Sequence, residues 1–518
     1  MPKKNDNSIK FSCYDQIFDI YQIFDELYAL SLDPSNNFTD LIDIVLSKSN
    51  IILAYRNLKS TNISFIGGND GLTIKDLEKL SIDDIQTQLR FIAIESKHGY
   101  RPKPVIVKNI EKPDFSTKPF GIPCIWDRLL EQCIKQVLEP ICEAKFSDNS
   151  YGYRPYRSVE NAISKIHRLI NFSHLSYCIQ LDLSNFFESV NHSHLISQIW
   201  NLGIQDKTLL YILKQMLTNT PLKYQQSYPE VYVQHKESGI VQSGILYGLF
   251  TNIVLNELDK WIESQWELNP VIYKYSYTID KKSGMYNYGC GYRGMRNLTK
   301  LKEMYLVRFG EDFVVFCANK DDAIKTLHAL QDYVSNRLKL DYNTCKVINL
   351  KHNYCKFLGF EVKMIQQKNK YVVKSRMSEQ SLKHWNSLLK DQIKRIQRPK
   401  DNKNCFEEIR TYNNMVMSIH NYYKYATNVS LDCDRMNWPI TIMFKNRLGT
   451  SRLSKTGRLL TDFERSRYGQ SKQIRYEKST KEPIFPIGYI KHKNPIAHKH
   501  NSTPYTEEGR KLLHIQER

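Results

Sequence analysis

The stretch Leu306–Cys317, LVRFGEDFVVFC, constrains the fold of this chain more than any other. It is a Val- and Phe-rich run of the kind that forms strands, and it carries two adjacent acids, Glu311 and Asp312, at its centre. An isolated carboxylate taken from water into an apolar interior is costly. A fold containing this run must therefore offset two of them. A strand–turn–strand pattern surrounds the pair. A second apolar run, YCIQLDL at 177–183, also ends on an acid, Asp182. Two explanations stand side by side. One is a salt bridge, with Arg308 as the nearby cation. The other is a divalent metal, since carboxylate oxygens suit Mg²⁺. Two such ions about 3.5–4 Å apart can activate a hydroxyl and stabilise a leaving phosphate.

The chain has 518 residues, more than one ordinary domain holds, and its 41% apolar share can build real cores. No run of roughly 18 apolar residues occurs, so no membrane span is expected. The opening MPKKNDNSIKFSCYDQIF has early acids and no apolar centre, unlike a secretory signal or an Arg-rich transit peptide. The expectation is a protein that works where it is translated, or one whose import signal is unusual. Helical spacing of apolar residues covers 11–60, 74–97, 126–145, 193–218 and 248–266. GGNDGLT, 67–73, is a turn cluster. Strands are expected at 100–110 and at 178–187, the latter running into a turn. The Tyr-, Gly- and Lys-rich stretch 269–300 reads as an insertion loop. From 379 three helical stretches follow, and beyond 450 the chain is polar, basic and Pro-containing. That tail is expected to be extended and in part disordered until bound. Eleven cysteines are scattered singly, with no C-x-x-C pair. They read as reduced core residues, with no zinc site. His492, His498 and His500 are not expected to hold a metal.

Charge points to a polyanion. Lys and Arg number 74 against 54 Asp and Glu, a net +20. From Asn446 to Arg518 there are 16 basic and 7 acidic residues. Nucleic-acid binding is favoured over an incidentally basic surface. Basic and aromatic residues interleave at Tyr55, Arg56, Lys59, Lys97, His98, Tyr100, Arg101 and Lys103, as RNA contact requires. They do so again in His420–Tyr425. There Ile419, Tyr422, Tyr423 and Ala426 share one helix face and are assigned to the core. Lys424 and Tyr425 are the surface candidates. Arg447, Arg452, Lys455 and Arg458 form a basic stripe, either a solvated face or a phosphate contact. In GYRP, 152–155, Gly152 permits an unusual turn. Arg154 either reaches phosphate or braces the fold through a carboxylate such as Asp127.

Several ordered motifs together resemble the reverse transcriptase–maturases encoded by group II introns. DRLLEQCIKQVLEPICEAKF, followed by SYGYRPYRSVENAI, spans Asp127–Ile163 and looks like the family's second fingers motif. KPFGIPC, 118–124, is similar to its Arg-Pro-x-Gly-Ile-Pro element. LDLSNFFESVNH, 181–192, resembles the palm strand with the first catalytic Asp. GIVQSGILYGLFTNIVLNELD, 239–259, resembles the Pro-Gln-Gly motif and its helix. RFGEDF, 308–313, stands where the family has Arg-Tyr-Ala-Asp-Asp-Phe. Lys346 and FLGF, 357–360, match the last palm motifs. YNNMVMSIHNYYKYATN, 412–428, looks like the maturase-domain helix, and PYTEEGRKLLH, 504–514, a piece that follows it.

The resemblance implies an α+β right-hand polymerase fold. Residues 1–60 would be an N-terminal helical extension and 61–370 the fingers and an antiparallel palm sheet. An all-α thumb and maturase domain (domain X) would occupy 375–450 and a basic tail 451–518. It implies intron RNA as partner and, in active members, a DNA target, with Mg²⁺ and deoxynucleotides for copying. Asp182, Glu311 and Asp312 take the catalytic and metal-binding positions. Lys112, Lys118, Arg154, Arg157, Gln242, Lys346, Lys424, Tyr425, Arg447, Arg452 and Lys455 are the candidate substrate and RNA contacts.

The chain departs from the family pattern at telling positions. Glu311 replaces the first Asp of the pair, displacing its carboxylate by roughly one C–C bond, ~1.5 Å. A site for in-line chemistry tolerates about 0.5 Å. The Pro-Gln-Gly element reads Val241, Gln242, Ser243, and the Tyr-Ala pair reads Phe309, Gly310. Lys118 replaces an Arg and loses its bidentate fork. Asp182, Asp312, Gln242 and Lys346 are retained. These changes lead to the expectation of a maturase whose copying activity is reduced or lost. A working RNA-directed DNA polymerase and a non-enzymatic RNA scaffold are the alternatives. No cysteine follows Cys433, so the Cys- and His-containing endonuclease of many relatives is not expected. Frequent Lys, Asn, Ile and Tyr suggest an AT-rich gene, in an organelle or alternatively a bacterium.

Overall fold

The computed structural model describes residues 14–517 except 112–116, 184–185, 219–221, 225–236, 241–243, 276–287, 400–401 and 500–501. Its centre is a four-stranded antiparallel sheet in the order Met304–Phe309, Asp312–Cys317, Tyr177–Asp182, Thr344–Asn349. The first two strands are the halves of the LVRFGEDFVVFC run. Nearly every residue in them is buried, which is why the run is apolar without alternation. The helices Val159–Asn171, Tyr247–Gln265 and Lys320–Asp332 pack against this sheet.

Among the described residues, three smaller sheets complete the β structure. Val105–Glu111 pairs antiparallel with Thr117–Ile122 and parallel with Leu222–Tyr224. Cys355–Phe357, Phe360–Gln367 and Lys370–Met377 form an antiparallel meander. Leu453–Ser454, Arg475–Glu477 and Pro483–Ile484 form the last. Three long helices, Glu379–Gln397, Asn402–Tyr423 and Val429–Arg452, follow the meander. Helical periodicity locates Ile125–Glu143 and Tyr247–Gln265 closely. The stretch 193–218 divides into His192–Asn201 and Lys207–Thr218, with Gly203 at φ 86° ending the first helix.

Two expectations are corrected. The stretch 269–300 contains the helices Ile272–Tyr275 and Tyr288–Leu298, with 276–287 outside the described residues. Its apolar minority packs, as where the Tyr292 ring stacks near Trp266 with centroids 6.1 Å apart. The described residues beyond 450 pack onto the rest of the chain rather than being disordered. Tyr468, Ile484, Phe485 and Ile487 are buried. His420 bonds the Tyr468 hydroxyl at 3.0 Å and the Ile487 carbonyl at 2.8 Å. Asn413 donates to Pro483 O at 2.7 Å and accepts from Phe485 N at 2.9 Å. The chain then crosses the helix Val159–Asn171, where Ile496 N donates to Glu160 at 3.0 Å. It ends against the first helix, Tyr14–Ser31: Tyr505 stacks on Tyr28 at 5.7 Å, and Arg510 pairs with Asp25 at 2.8 Å.

Ten cysteines lie among the described residues and all are free thiols, eight of them buried. No described helix is long and apolar enough to cross a membrane.

Candidate functional site

The two acids do not sit inside a strand. Phe309 pairs with Asp312, leaving Gly310 and Glu311 as a two-residue hairpin turn. Gly310 has φ 64°, and positive φ at the first turn position is the II′ geometry that closes such hairpins. Glu311 is half-buried, Asp312 is exposed at the start of its strand, and Asp182 is exposed at the end of its own. The expected cost of burying these carboxylates therefore does not arise. Leu181 pairs with Phe313, so the next step of the register sets Asp182 beside Asp312.

Both aspartates open into a cavity of about 720 Å³, which Lys346, Lys356, His384 and Trp385 also line. Lys346 projects from Thr344–Asn349 and is exposed. The helix Glu379–Gln397 supplies His384 and Trp385, so the wall opposite the sheet comes from the helical part of the chain. The helix Asn402–Tyr423 also reaches this site. Its Tyr422 donates to Leu358 O at 3.0 Å and stacks on Phe360. Burial, then Tyr423 and Asp312, raise the Tyr422 hydroxyl above its ordinary value.

Glu311 does not line that cavity. Its Oε2 accepts from the Tyr153 hydroxyl at 3.2 Å, and the Tyr247 hydroxyl donates in turn to Tyr153. Nor do the acids pair with Arg308. That guanidinium is fully buried on Asp259, which it meets at 2.6 to 3.0 Å. It also donates to Asn252 at 2.9 Å and to the carbonyl of Gly310 at 2.8 Å. The helix Tyr247–Gln265 thus holds the hairpin turn by its backbone.

No group of three or more His, Cys, Asp or Glu side chains is gathered as for a metal among the described residues. Mg²⁺ is commonly held through one or two carboxylates, with water and substrate phosphates completing its shell. The adjacent, exposed Asp182 and Asp312 fit that arrangement. A three-carboxylate set including Glu311 does not.

Most other candidates have partners within the protein. Arg154 is buried and braces through Glu143, at 2.9 Å on both arms, rather than through Asp127. Asp127 instead accepts from Tyr100 at 2.8 Å. Arg157 pairs with Asp148 at 2.9 Å. Tyr425 is buried and donates to Glu160 at 2.6 Å, whereas Tyr422, assigned to the core, is 38% exposed. Lys424 is half-buried over the Tyr425 ring, and burial and Lys493 lower its ammonium pKa. Arg447 donates to Gln397 at 2.6 Å, Arg452 pairs with Glu477 at 3.1 Å, and Arg458 with Glu464 and Glu482, each at 2.8 Å. Lys455 is exposed. Tyr55 and Tyr100 are core, and Lys59 and Lys103 pair with Glu78 and Asp70. Lys118 lies opposite Ile110 in its sheet. Lys112 and Gln242, with Val241 and Ser243, lie outside the described residues.

The sequence reading missed Tyr153, Tyr247 and Asp259. Their one visible signal was Gly152 in GYRP. A Cβ there would lie 2.2 Å from the Gly310 nitrogen, so the two turns meet backbone to backbone.

Residues 110–362 match the family model of reverse transcriptase (RNA-dependent DNA polymerase). The group II intron-encoded protein LtrA of Lactococcus lactis subsp. cremoris is 27% identical over 359 residues, 63% of this chain and 57% of LtrA. The putative COX1/OXI3 intron 1 protein of Saccharomyces cerevisiae is 23% identical over 573 aligned positions, 96% of this chain and 66% of that protein. Nuclear intron maturase 2, mitochondrial, of Arabidopsis thaliana is 26% identical over 174 residues, 27% of this chain and 23% of the maturase. The chain thus spans a little over half the length of LtrA. The adjacent aspartates at the end of an antiparallel sheet fall within the matched span. The chain carries a reverse transcriptase domain that is similar to group II intron-encoded proteins and intron maturases.

Proposed function

We propose that this chain is a maturase that binds a group II or group II-like intron RNA and assists its splicing, with copying activity reduced or lost. In this reading the four-stranded sheet is the palm, 61–370 holds the fingers and palm, and 375–450 is the thumb and maturase domain. Residues 1–60 extend the fingers, and 451–518 are a basic tail folded onto the maturase helices. RNA performs the transesterifications; the protein holds it in the competent form. Excess positive charge supplies the attraction, and the names of the similar proteins point to introns.

The observation that carries the loss of copying is the position of Glu311. Its carboxylate is engaged by Tyr153 and absent from the cavity that Asp182 and Asp312 share. Those two would hold Mg²⁺, which would supply charge stabilisation on a phosphate. Lys346 would steady the incoming phosphates. The test has two arms. Splicing of the intron that houses or neighbours this reading frame should require the protein at near-physiological Mg²⁺. Primer extension on an RNA template should yield little cDNA. Robust cDNA overturns the reduced-activity part, and protein-independent splicing overturns the maturase part.

The intact Asp182–Asp312 pair favours a second reading, a working RNA-directed DNA polymerase able to support mobility into a DNA target. The composition and a mitochondrial relative support an organelle, and bacterial LtrA supports the alternative of a bacterial cytoplasm.

A further inference from the structure

Tyr153 is held unusually firmly. It is a non-glycine residue at φ 57°, a conformation that costs on the order of 1 kcal/mol or more and persists where its surroundings impose it. Glycines make room for it on two sides. A Cβ on Gly248 would lie 2.8 Å from the Tyr153 Cβ, and one on Gly310 would lie 2.5 Å from its ring. The Tyr247 ring meets it edge-on at 5.0 Å, and Phe187, from the segment after Asp182, packs on Tyr247 at 5.2 Å. The ring is thus clamped between the hairpin turn and the helix Tyr247–Gln265. Its hydroxyl accepts from Tyr247 and so points its own proton at Glu311 Oε2.

We propose that Tyr153 is a positioning residue that draws the Glu311 carboxylate out of the Asp182–Asp312 cavity, leaving a two-carboxylate cation site. Glu311 is suited to this by its extra methylene, which lengthens the reach from the turn by about 1.5 Å. At 3.2 Å the hydrogen bond is a long one, and its advantage is that the clamp has already fixed the donor. Glutamate at 311 is then one half of an engaged pair rather than a damaged ligand. This inference rests on reading Asp182 and Asp312 as a cation site.

The experiment measures Mn²⁺ binding to the full chain by electron paramagnetic resonance, without RNA or nucleotides. In the otherwise wild-type chain, Glu311→Gln should leave Mn²⁺ affinity unchanged, while Asp182→Asn should abolish it. Tyr153→Phe keeps the ring and removes the proton. It should tighten Mn²⁺ by about tenfold as a third carboxylate becomes available. Adding Glu311→Gln to Tyr153→Phe should reverse that gain. The proposal is overturned if Glu311→Gln alone weakens binding as Asp182→Asn does, since Glu311 would then already be a ligand. It is equally overturned if Tyr153→Phe leaves affinity unaltered, or if no variant binds Mn²⁺. Circular dichroism confirms that each variant is folded. Splicing by the wild-type chain reports on the maturase reading separately, so either idea can fail alone.

Discussion

Arg308 and Asp259 form an ion pair with no solvent exposure on either side chain. Removing one partner strands a buried charge, and Asp259→Asn should cost about 3–5 kcal/mol. Replacing both, Arg308→Met with Asp259→Leu, should cost less than either single change, because no charge is left unpaired. Urea denaturation measures all three; a single-variant loss below about 1 kcal/mol would contradict the burial described. The residue scale is also where the sequence was least legible. Arg308 could be recognised as a cation beside two acids, but not that its partner lies on a helix far upstream. Arg154 and Arg157 posed the same difficulty. An Arg next to Gly and Tyr looks like a phosphate contact until the fold turns Glu143 and Asp148 towards it. Asp182 and Asp312 were legible, because an acid ending an apolar strand run is conspicuous whatever its partners.

At the scale of elements, hydrophobic period located the long helices and the sheet strands, and it failed where an element ends. The helix Asn402–Tyr423 stops two residues before Tyr425, so a helical wheel carried through Tyr425 assigns the wrong faces. The packing beyond 450 was hidden for another reason. Tyr468, Ile484, Phe485 and Ile487 are sparse apolar points in a polar stretch, with no period to reveal them. Their contact with His420 gives a pH prediction. Burial holds His420 down to about 4, so its neutral form belongs to the folded state. Below the unfolded value of about 6.5 the unfolded chain takes up a proton that the fold refuses. The stability contributed by neutral His420 is complete above about pH 6.5 and falls by about 1.4 kcal/mol per pH unit towards pH 4. Asp127 and Glu131, raised by burial to about 6 and about 7, act with the opposite sign, so the whole-protein profile blends both. The cost of His420→Gln isolates the histidine. It should shrink between pH 7.5 and 5, and a constant cost would refute the assignment.

For the whole molecule, the count of 74 Lys and Arg overstates the cations open to an RNA, because Arg154, Arg157, Arg452 and Arg458 are spent on internal acids, while the net +20 is unchanged by such pairing. In the RNA-binding reading proposed above, exposed lysines such as Lys346 and Lys455 carry more of the attraction. Two substitutions separate these roles. Lys455→Ala should lower the slope of log affinity for intron RNA against log salt by about 0.7–0.9 and leave stability intact. Arg452→Ala should destabilise by about 1–3 kcal/mol, since it strips a partner from the buried Glu477. Titrations at several salt concentrations, paired with denaturation, distinguish the two; equal stability loss in both would be contrary to the structure. The clasp of Arg510 and Tyr505 on Asp25 and Tyr28 has a consequence in time. A ribosome makes the first helix early and the residues that seat it nearly five hundred codons later. The helix can pack on Lys48–Lys59 and Ile125–Glu143 well before then, but it lacks its ion pair and its stacked ring until synthesis has passed Arg510.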